Sequence, residues 1–297
     1  MSLVNIGKLQ LETERLGDPG HPAILLIQGL GTPLTRWPLS LCERLVAEGF
    51  QVIRFDNRDI GLSTKLDGLG LPDLAGFLQG LRPLTPLYTL ADMAADSAAL
   101  LDALGIRQAH VVGASMGGMI AQLLAALYPG RCLSLTSIMS STGNPLLPPP
   151  TPAALQALFA PLPPIRDEAH MVAEWVRRQQ VLMSPGYPTP VAELHAMFTA
   201  EYRRNFHPPG VARQLAALLT GGDRRCLLAS LRIPAVVLHG ESDPLIPVAC
   251  GRDTAASIPG AELRTVPGMG HDFPVALVPQ FAAAILAAAR RAPGNLV

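Results

Sequence analysis

His110-Val111-Val112-Gly113-Ala114-Ser115-Met116-Gly117-Gly118 is the segment from which the topology of this chain can be built. A short β-branched run ends at Gly113, a serine follows at the apex, and an apolar helical pattern continues from Met119 to Tyr128. Strand, sharp turn and helix with the spacing Gly-x-Ser-x-Gly is the arrangement of a nucleophile elbow. Such a turn holds the serine backbone in a strained conformation. Side chains two positions to either side would strike the neighbouring strand and helix, so small residues are required there. The hydroxyl then stands above the sheet beside the amides of a helix N-terminus. Alone, a five-residue pattern is a weak signal, because glycine and serine are common enough to produce it by chance. Its partners have to come from the rest of the chain.

The chain has 297 residues, of which 49% are hydrophobic and 15% charged, enough to bury a large core as one domain or one domain with an insertion. Net charge is zero and lysine and arginine are not clustered, so no nucleic-acid partner is expected. Cys42, Cys132, Cys226 and Cys250 lie far apart with no Cys-x-x-Cys spacing. That predicts buried, reduced thiols of a cytoplasmic protein rather than a disulfide frame or a zinc site. No histidine pair has ligand spacing with carboxylates, so no metal is expected. No apolar run reaches the length of a bilayer span, and the N-terminus lacks a basic region followed by an apolar core.

Residues 3–16 alternate weakly, as one or two edge strands would. Residues 23–27 form a continuous apolar run, the pattern of a strand buried on both faces. It ends at Gln28-Gly29-Leu30-Gly31, a glycine-rich turn whose backbone N–H groups can point into a site, Leu30 being the candidate donor. A helical spacing over 38–48 and a strand over 52–55 complete a parallel crossover unit. In the loop that follows, Asp56 and Arg58 are spaced to pair. A short helix is expected near 74–81, an amphipathic helix over 90–104 and a strand over 133–139. From 144 to 164 the density of proline excludes regular structure. Three helical patterns follow between 168 and 219. Strands at 235–239 and 261–266 and helices at 248–258 and 274–291 close the chain. The fold class is therefore α/β, a mostly parallel doubly wound sheet. Residues 1–140 and 223–297 form the core, and 141–222 a helical cap, or lid, inserted between two core strands.

Asp243 follows one late strand and His271 the last one. In a parallel sheet, residues just after strands emerge at the carboxyl ends, where ligands bind. A serine hydroxyl is a poor nucleophile until a base takes its proton. His271 can take it, with Asp243 fixing the ring tautomer and stabilising the imidazolium. The amides of Leu30 and Met116 are the candidate oxyanion donors. Facing such a site, the inserted helices offer Trp175, Met183, Met197, Phe198, Tyr202 and Phe206 as pocket residues, an apolar set with adaptable methionines.

These motifs resemble those of the α/β-hydrolase superfamily over nearly the full length. Gly113-Ala-Ser115-Met-Gly117-Gly118 is similar to the family's elbow, His239-Gly240-Glu-Ser-Asp243-Pro244 to its acid-bearing turn, and Gly268-Met-Gly270-His271 to its histidine loop. Asp56-Asn-Arg58-Asp59-Ile-Gly61-Leu-Ser63 resembles an Asp-x-Arg-Gly-x-Gly-x-Ser loop, with Asp59 at the first glycine. Gln28-Gly29 stands where the family has His-Gly. The family places the acid where Asp243 lies, not Glu241. Within the superfamily the loops are most like those of aclacinomycin methylesterases and of cofactor-free esterases and haloperoxidases. The resemblance implies a serine hydrolase that cleaves a carboxylic ester through an acyl-enzyme, without a cofactor, and the apolar residues of the insertion predict a small to medium, uncharged, apolar substrate. Carbon–carbon bond hydrolysis, perhydrolysis or haloperoxidation on the same triad, or a non-catalytic receptor of the same fold, are the alternatives.

Overall fold

Two antiparallel N-terminal strands, β1 (Ser2–Asn5) and β2 (Gln10–Leu16), form one edge of an eight-stranded sheet. The coordinates are a computed structural model that describes residues 1–159, 165 and 167–292. The other strands are β3 (Ala23–Ile27), β4 (Gln51–Phe55), β5 (Ala109–Ala114), β6 (Cys132–Ile138), β7 (Ala235–Gly240) and β8 (Glu262–Val266), in the spatial order β1-β2-β4-β3-β5-β6-β7-β8. β3 to β8 run parallel, and β2 joins β4 antiparallel. Every residue of β3, β4, β5 and β7 is buried, as their continuous apolar runs require, because helices cover both faces.

The helices are α1 (Leu39–Ala47), α2 (Leu74–Leu78), α3 (Leu90–Ala103), α4 (Met116–Leu127), α5 (Pro152–Phe159), α6 (Glu168–Leu182), α7 (Val191–Arg204), α8 (Pro208–Leu219), α9 (Arg225–Leu228), α10 (Val248–Ser257) and α11 (Val278–Arg290). The two-residue period of the strands divides the core between the faces. Leu25, Ile53, Val111 and Leu135 pack with Leu100 and Leu101 of α3 and Ile120 and Leu124 of α4. Ile24, Leu26, Val52 and Val112 pack with Leu41 and Leu45 of α1 and Phe281 and Ile285 of α11. Each such side chain taken fully from water contributes about 1.5–3 kcal/mol. α5 to α8 all lie between β6 and β7 in the chain, as the helical patterns there predict for three of them.

Three expectations need correction. The proline-dense stretch 144–164 is not wholly irregular, since α5 starts at Pro152. A proline at the first helical position loses only an N–H that had no helical partner, and the Thr151 hydroxyl caps the turn by accepting from the Ala154 amide at 3.2 Å. Residues 160–164 and 166 lie outside the described set. Asp56 and Arg58 do not pair with each other. Asp56 accepts from the amides of Leu34 and Leu62 and meets Arg204 at 2.7 Å, whereas Arg58 forms a two-point ion pair with Asp96 at 2.6 and 2.7 Å. Of the cysteines, Cys42, Cys132 and Cys250 are buried, but Cys226 on α9 is exposed. Among the described residues no helix is long and apolar enough to cross a membrane.

Candidate active site

Ser115 occupies the tip between β5 and α4 with φ 55° and ψ −122°, a conformation that costs a non-glycine residue of order 1–3 kcal/mol. Its neighbours make the conformation possible. A Cβ at Gly113 would lie 2.1 Å from the Gly117 carbonyl oxygen, and one at Gly117 would lie 2.1 Å from that of Ile27. The Ser115 amide donates to the Ile138 carbonyl at 3.0 Å, and the Ser140 hydroxyl donates to the Ser115 carbonyl at 2.7 Å, which pins the tip to β6. The Gly29 backbone approaches so closely that a Cβ there would stand 3.2 Å from that of Ser115. Neither the Leu30 nor the Met116 amide donates a hydrogen bond to any described residue, so two N–H groups beside the serine are free.

His271 joins the tip to the acid. Its Nε2 lies 3.0 Å from Ser115 Oγ and its Nδ1 2.7 Å from Asp243 Oδ2. A carboxylate only accepts, so Nδ1 carries the proton and Nε2 accepts from the serine O–H. Asp243 is held by its other oxygen, Oδ1, which accepts from the Leu245 and Ile246 amides at 2.9 and 2.8 Å. Glu241, the neighbouring carboxylate, points elsewhere and accepts from the Thr265 hydroxyl at 2.8 Å. His239 donates from Nε2 to the Ile246 carbonyl at 2.7 Å, and burial pushes its imidazole below the usual histidine range despite Asp243 nearby. The histidine loop is also tied to the end of α6 and the residues that follow it. The His271 amide donates to the Leu182 carbonyl at 2.7 Å, and the Gly270 amide to the Ser184 hydroxyl at 2.8 Å. Asp272 accepts from the Ser184 amide and hydroxyl through Oδ1, and burial raises its carboxyl above the usual range.

Ser115 and His271 open into a cavity of about 780 Å³. Of the six side chains expected to line it, only Met197 does. Trp175, Phe198, Tyr202 and Phe206 pack on one another instead, with Trp175 5.7 Å from Phe198 and 5.8 Å from Phe206, and Tyr202 stacked on Phe206 at 5.1 Å. Phe198 belongs to the small core that α6 and α7 share through Val172, Val176 and Leu194, and Trp175, Met183 and Tyr202 pack against it. The Met116 side chain is fully buried in the core, and Met119, one turn on, lines the cavity. The apolar walls come instead from Leu147 and the prolines after it, Leu155 and Leu158 of α5, Leu182, Leu218 and Leu219 at the end of α8, and Leu245 and Ile246 beside the acid. Leu155 and Leu158 are spaced three apart, a helical signal for that wall which the surrounding prolines obscure. Among the described residues of the lining the one arginine or lysine is Arg36, and it is neutralised by a two-point pair with Glu201 at 2.7 and 2.6 Å. No cluster of potential metal ligands occurs among the described residues.

A strained serine between β5 and α4, with an acid after β7 and a histidine after β8, defines a class of protein, and the comparisons agree with it. The family described as the alpha/beta hydrolase fold matches residues 22–164. The rhodomycin D methylesterase DnrP of Streptomyces peucetius is 31% identical over 98% of this chain and 98% of its own length. The chain belongs to the α/β-hydrolase family. Among solved structures, a hydrolase from Pseudomonas aeruginosa PA01 superposes with a TM-score of 0.67 at 27% identity, covering 94% of both chains. The enol-lactonase of Burkholderia xenovorans LB400 shares the fold, with a TM-score of 0.71 at 22% identity over 95% of this chain and 96% of that one.

Proposed function

We propose that this chain is a serine esterase that cleaves a small to medium, uncharged carboxylic ester through an acyl-enzyme. The observation that carries the proposal is His271 within hydrogen-bond distance of both Ser115 and Asp243. Ser115 Oγ attacks the ester carbonyl as its proton passes to His271 Nε2, and Asp243 stabilises the imidazolium. The tetrahedral oxyanion is held by the free amides of Leu30 and Met116. Collapse breaks the bond to the alkoxy oxygen, which takes the proton from His271 and leaves as the alcohol. Water then attacks the acyl-enzyme, giving its proton to His271, and the acid departs as Ser115 recovers its hydrogen. Residues 141–222 serve as the cap over the cavity. The similarity to a protein named as a methylesterase supports an ester with a small alcohol, and the neutralised Arg36 and apolar walls support an uncharged substrate.

The test is a panel of methyl and p-nitrophenyl esters, lactones and vinylogous diketones given to the purified protein. Steady turnover of esters with release of the alcohol is expected. Turnover confined to the diketones would replace ester cleavage by carbon–carbon bond hydrolysis, and acylation without turnover would replace it by ligand reception.

A further inference from the structure

We propose that Gln214, a buried residue of α8, positions the Leu30 amide that receives the oxyanion, so that a side chain from outside the core sheet sets the geometry of the hole. The proposal rests on the ester-cleaving function given above. The Leu30 N–H belongs to the peptide that links Gly29 to Leu30. In a trans peptide the C=O and N–H point in opposite directions, so whatever aims the Gly29 carbonyl also aims the Leu30 N–H. That carbonyl accepts from the Thr32 hydroxyl at 3.0 Å and the Thr32 amide at 3.4 Å. On the other side of Leu30, the Gly31 amide donates to Gln214 Oε1 at 2.9 Å, from 183 positions away. Leu30 is thus clamped between two fixed peptides, one held locally and one held by α8.

Gln214 is fully buried, and its other end is also engaged, Nε2 donating to the Arg58 carbonyl at 2.9 Å. Only one orientation of the side-chain amide matches a donor on one side and a carbonyl on the other. The residue is therefore a fixed strut between the turn after β3 and the loop after β4. The helix that carries it is itself anchored. Arg213 grips Asp59 through two bonds of 2.8 and 2.7 Å, with side-chain exposures of 1% and 0%. Gly210 lets α8 lie directly on the same loop, since a Cβ there would stand 2.3 Å from the Asp59 carbonyl oxygen. At Gly31, where φ is +68°, a Cβ would lie 3.3 Å from the Val211 methyl groups. The N-terminal part of α8 thus rests on both loops, and among the described residues the hydrogen bond from Gly31 is its one polar link to the turn that carries Leu30.

The experiment compares Gln214→Met, which keeps the side-chain length and removes both bonds, with Gln214→Glu, which keeps an acceptor for Gly31. Three quantities are read: kcat and KM on p-nitrophenyl hexanoate, inhibition by an alkyl boronic acid whose tetrahedral adduct carries the oxyanion, and amide exchange at Leu30 and Gly31. Removing an oxyanion donor outright costs about a hundredfold to a thousandfold in kcat, so misaiming one is expected to cost about thirtyfold. For Gln214→Met we expect that loss in kcat with KM within twofold, a parallel loss of boronic acid affinity, and faster exchange at Gly31. Gln214→Glu should recover most of the kcat. A folded Gln214→Met with kcat within twofold of wild type, or with the whole change in KM, overturns the positioning role and leaves the esterase standing. Wild-type protein that turns over no ester overturns the function itself, and exchange at Gly31 then decides alone whether Gln214 holds the turn. Should Gln214→Met fail to fold, Gln214→Asn, too short to span both partners, is expected to show the same fall in kcat and overturns the role if it does not.

Discussion

At the scale of single residues, the arrangement of Asp243 leads to a sharp expectation. Both backbone amides on Oδ1 remain available to an amide side chain, so Asp243→Asn should fold normally. It would present His271 with the wrong partner at Nδ1, and kcat should fall about 10⁴-fold. Glu241→Gln, altering a group bonded to Thr265, should leave kcat within a factor of about two, the scale of a surface change. Steady-state kinetics with circular dichroism of both variants check the pair, and the opposite ranking would move the acid to Glu241. His110 gives a test of stability. It is buried beside the Ser134 hydroxyl, and burial pushes its imidazole down to about 4 from an ordinary value of 6.5. The unfolded chain therefore takes up this proton more readily than the folded one. The contribution is complete above about 6.5 and is lost as pH falls from there through 4, at most about 3 kcal/mol. Urea midpoints at pH 7 and 4.5 should fall further apart for wild type than for His110→Gln; an equal spread would contradict it. Ser115, Asp243 and His271 could be picked out in the sequence because each sits in a short turn after a strand, where chain order alone sets position. Trp175 and Phe206 could not be placed, because a helical pattern shows that a residue faces inward without showing what it faces.

At the scale of elements, α8 is fastened to the loop after β4 by a charge pair that the sequence only half displays. Asp59 stands out as a departure from a glycine, with φ 73°, but its partner Arg213 is 154 positions away and nothing local points to it. α5 was hidden for a different reason: the prolines around it speak against a helix, and only their position at its first turn makes them compatible with one. Arg213→Met leaves the Asp59 carboxylate buried without its cation, which should destabilise the fold by about 3–5 kcal/mol. Combining it with Asp59→Gly removes the stranded charge and relieves the positive φ, so the double variant should recover about half of that loss. Urea unfolding of the two single variants and the double reads this directly. A double variant no more stable than Arg213→Met would show that the pair is not coupled.

For the whole molecule, the parallel sheet gathers the turns that carry Ser115, Asp243 and His271 at one end, and residues of α5 to α8 line the cavity there. The sheet was legible because continuous apolar runs between turn residues leave few alternatives to buried parallel strands. The cavity was not, because its walls come from stretches scattered between Gln28 and Val275 that only the folded chain brings together. A cavity of about 780 Å³ with mostly apolar walls should reward each added methylene of an acyl chain with about 0.8 kcal/mol, roughly fourfold. Along straight-chain p-nitrophenyl esters, kcat/KM should rise from acetate to about hexanoate and then fall. A flat profile, or a preference for charged acyl groups, would mean that the cavity does not hold the acyl chain. The most direct test of the esterase itself is covalent. Treated with a fluorophosphonate and analysed by intact mass and peptide mapping, the wild-type protein should carry one adduct, on Ser115, and folded Ser115→Ala should carry none. Full labelling of Ser115→Ala, or an unlabelled wild type, would contradict a nucleophile at that position.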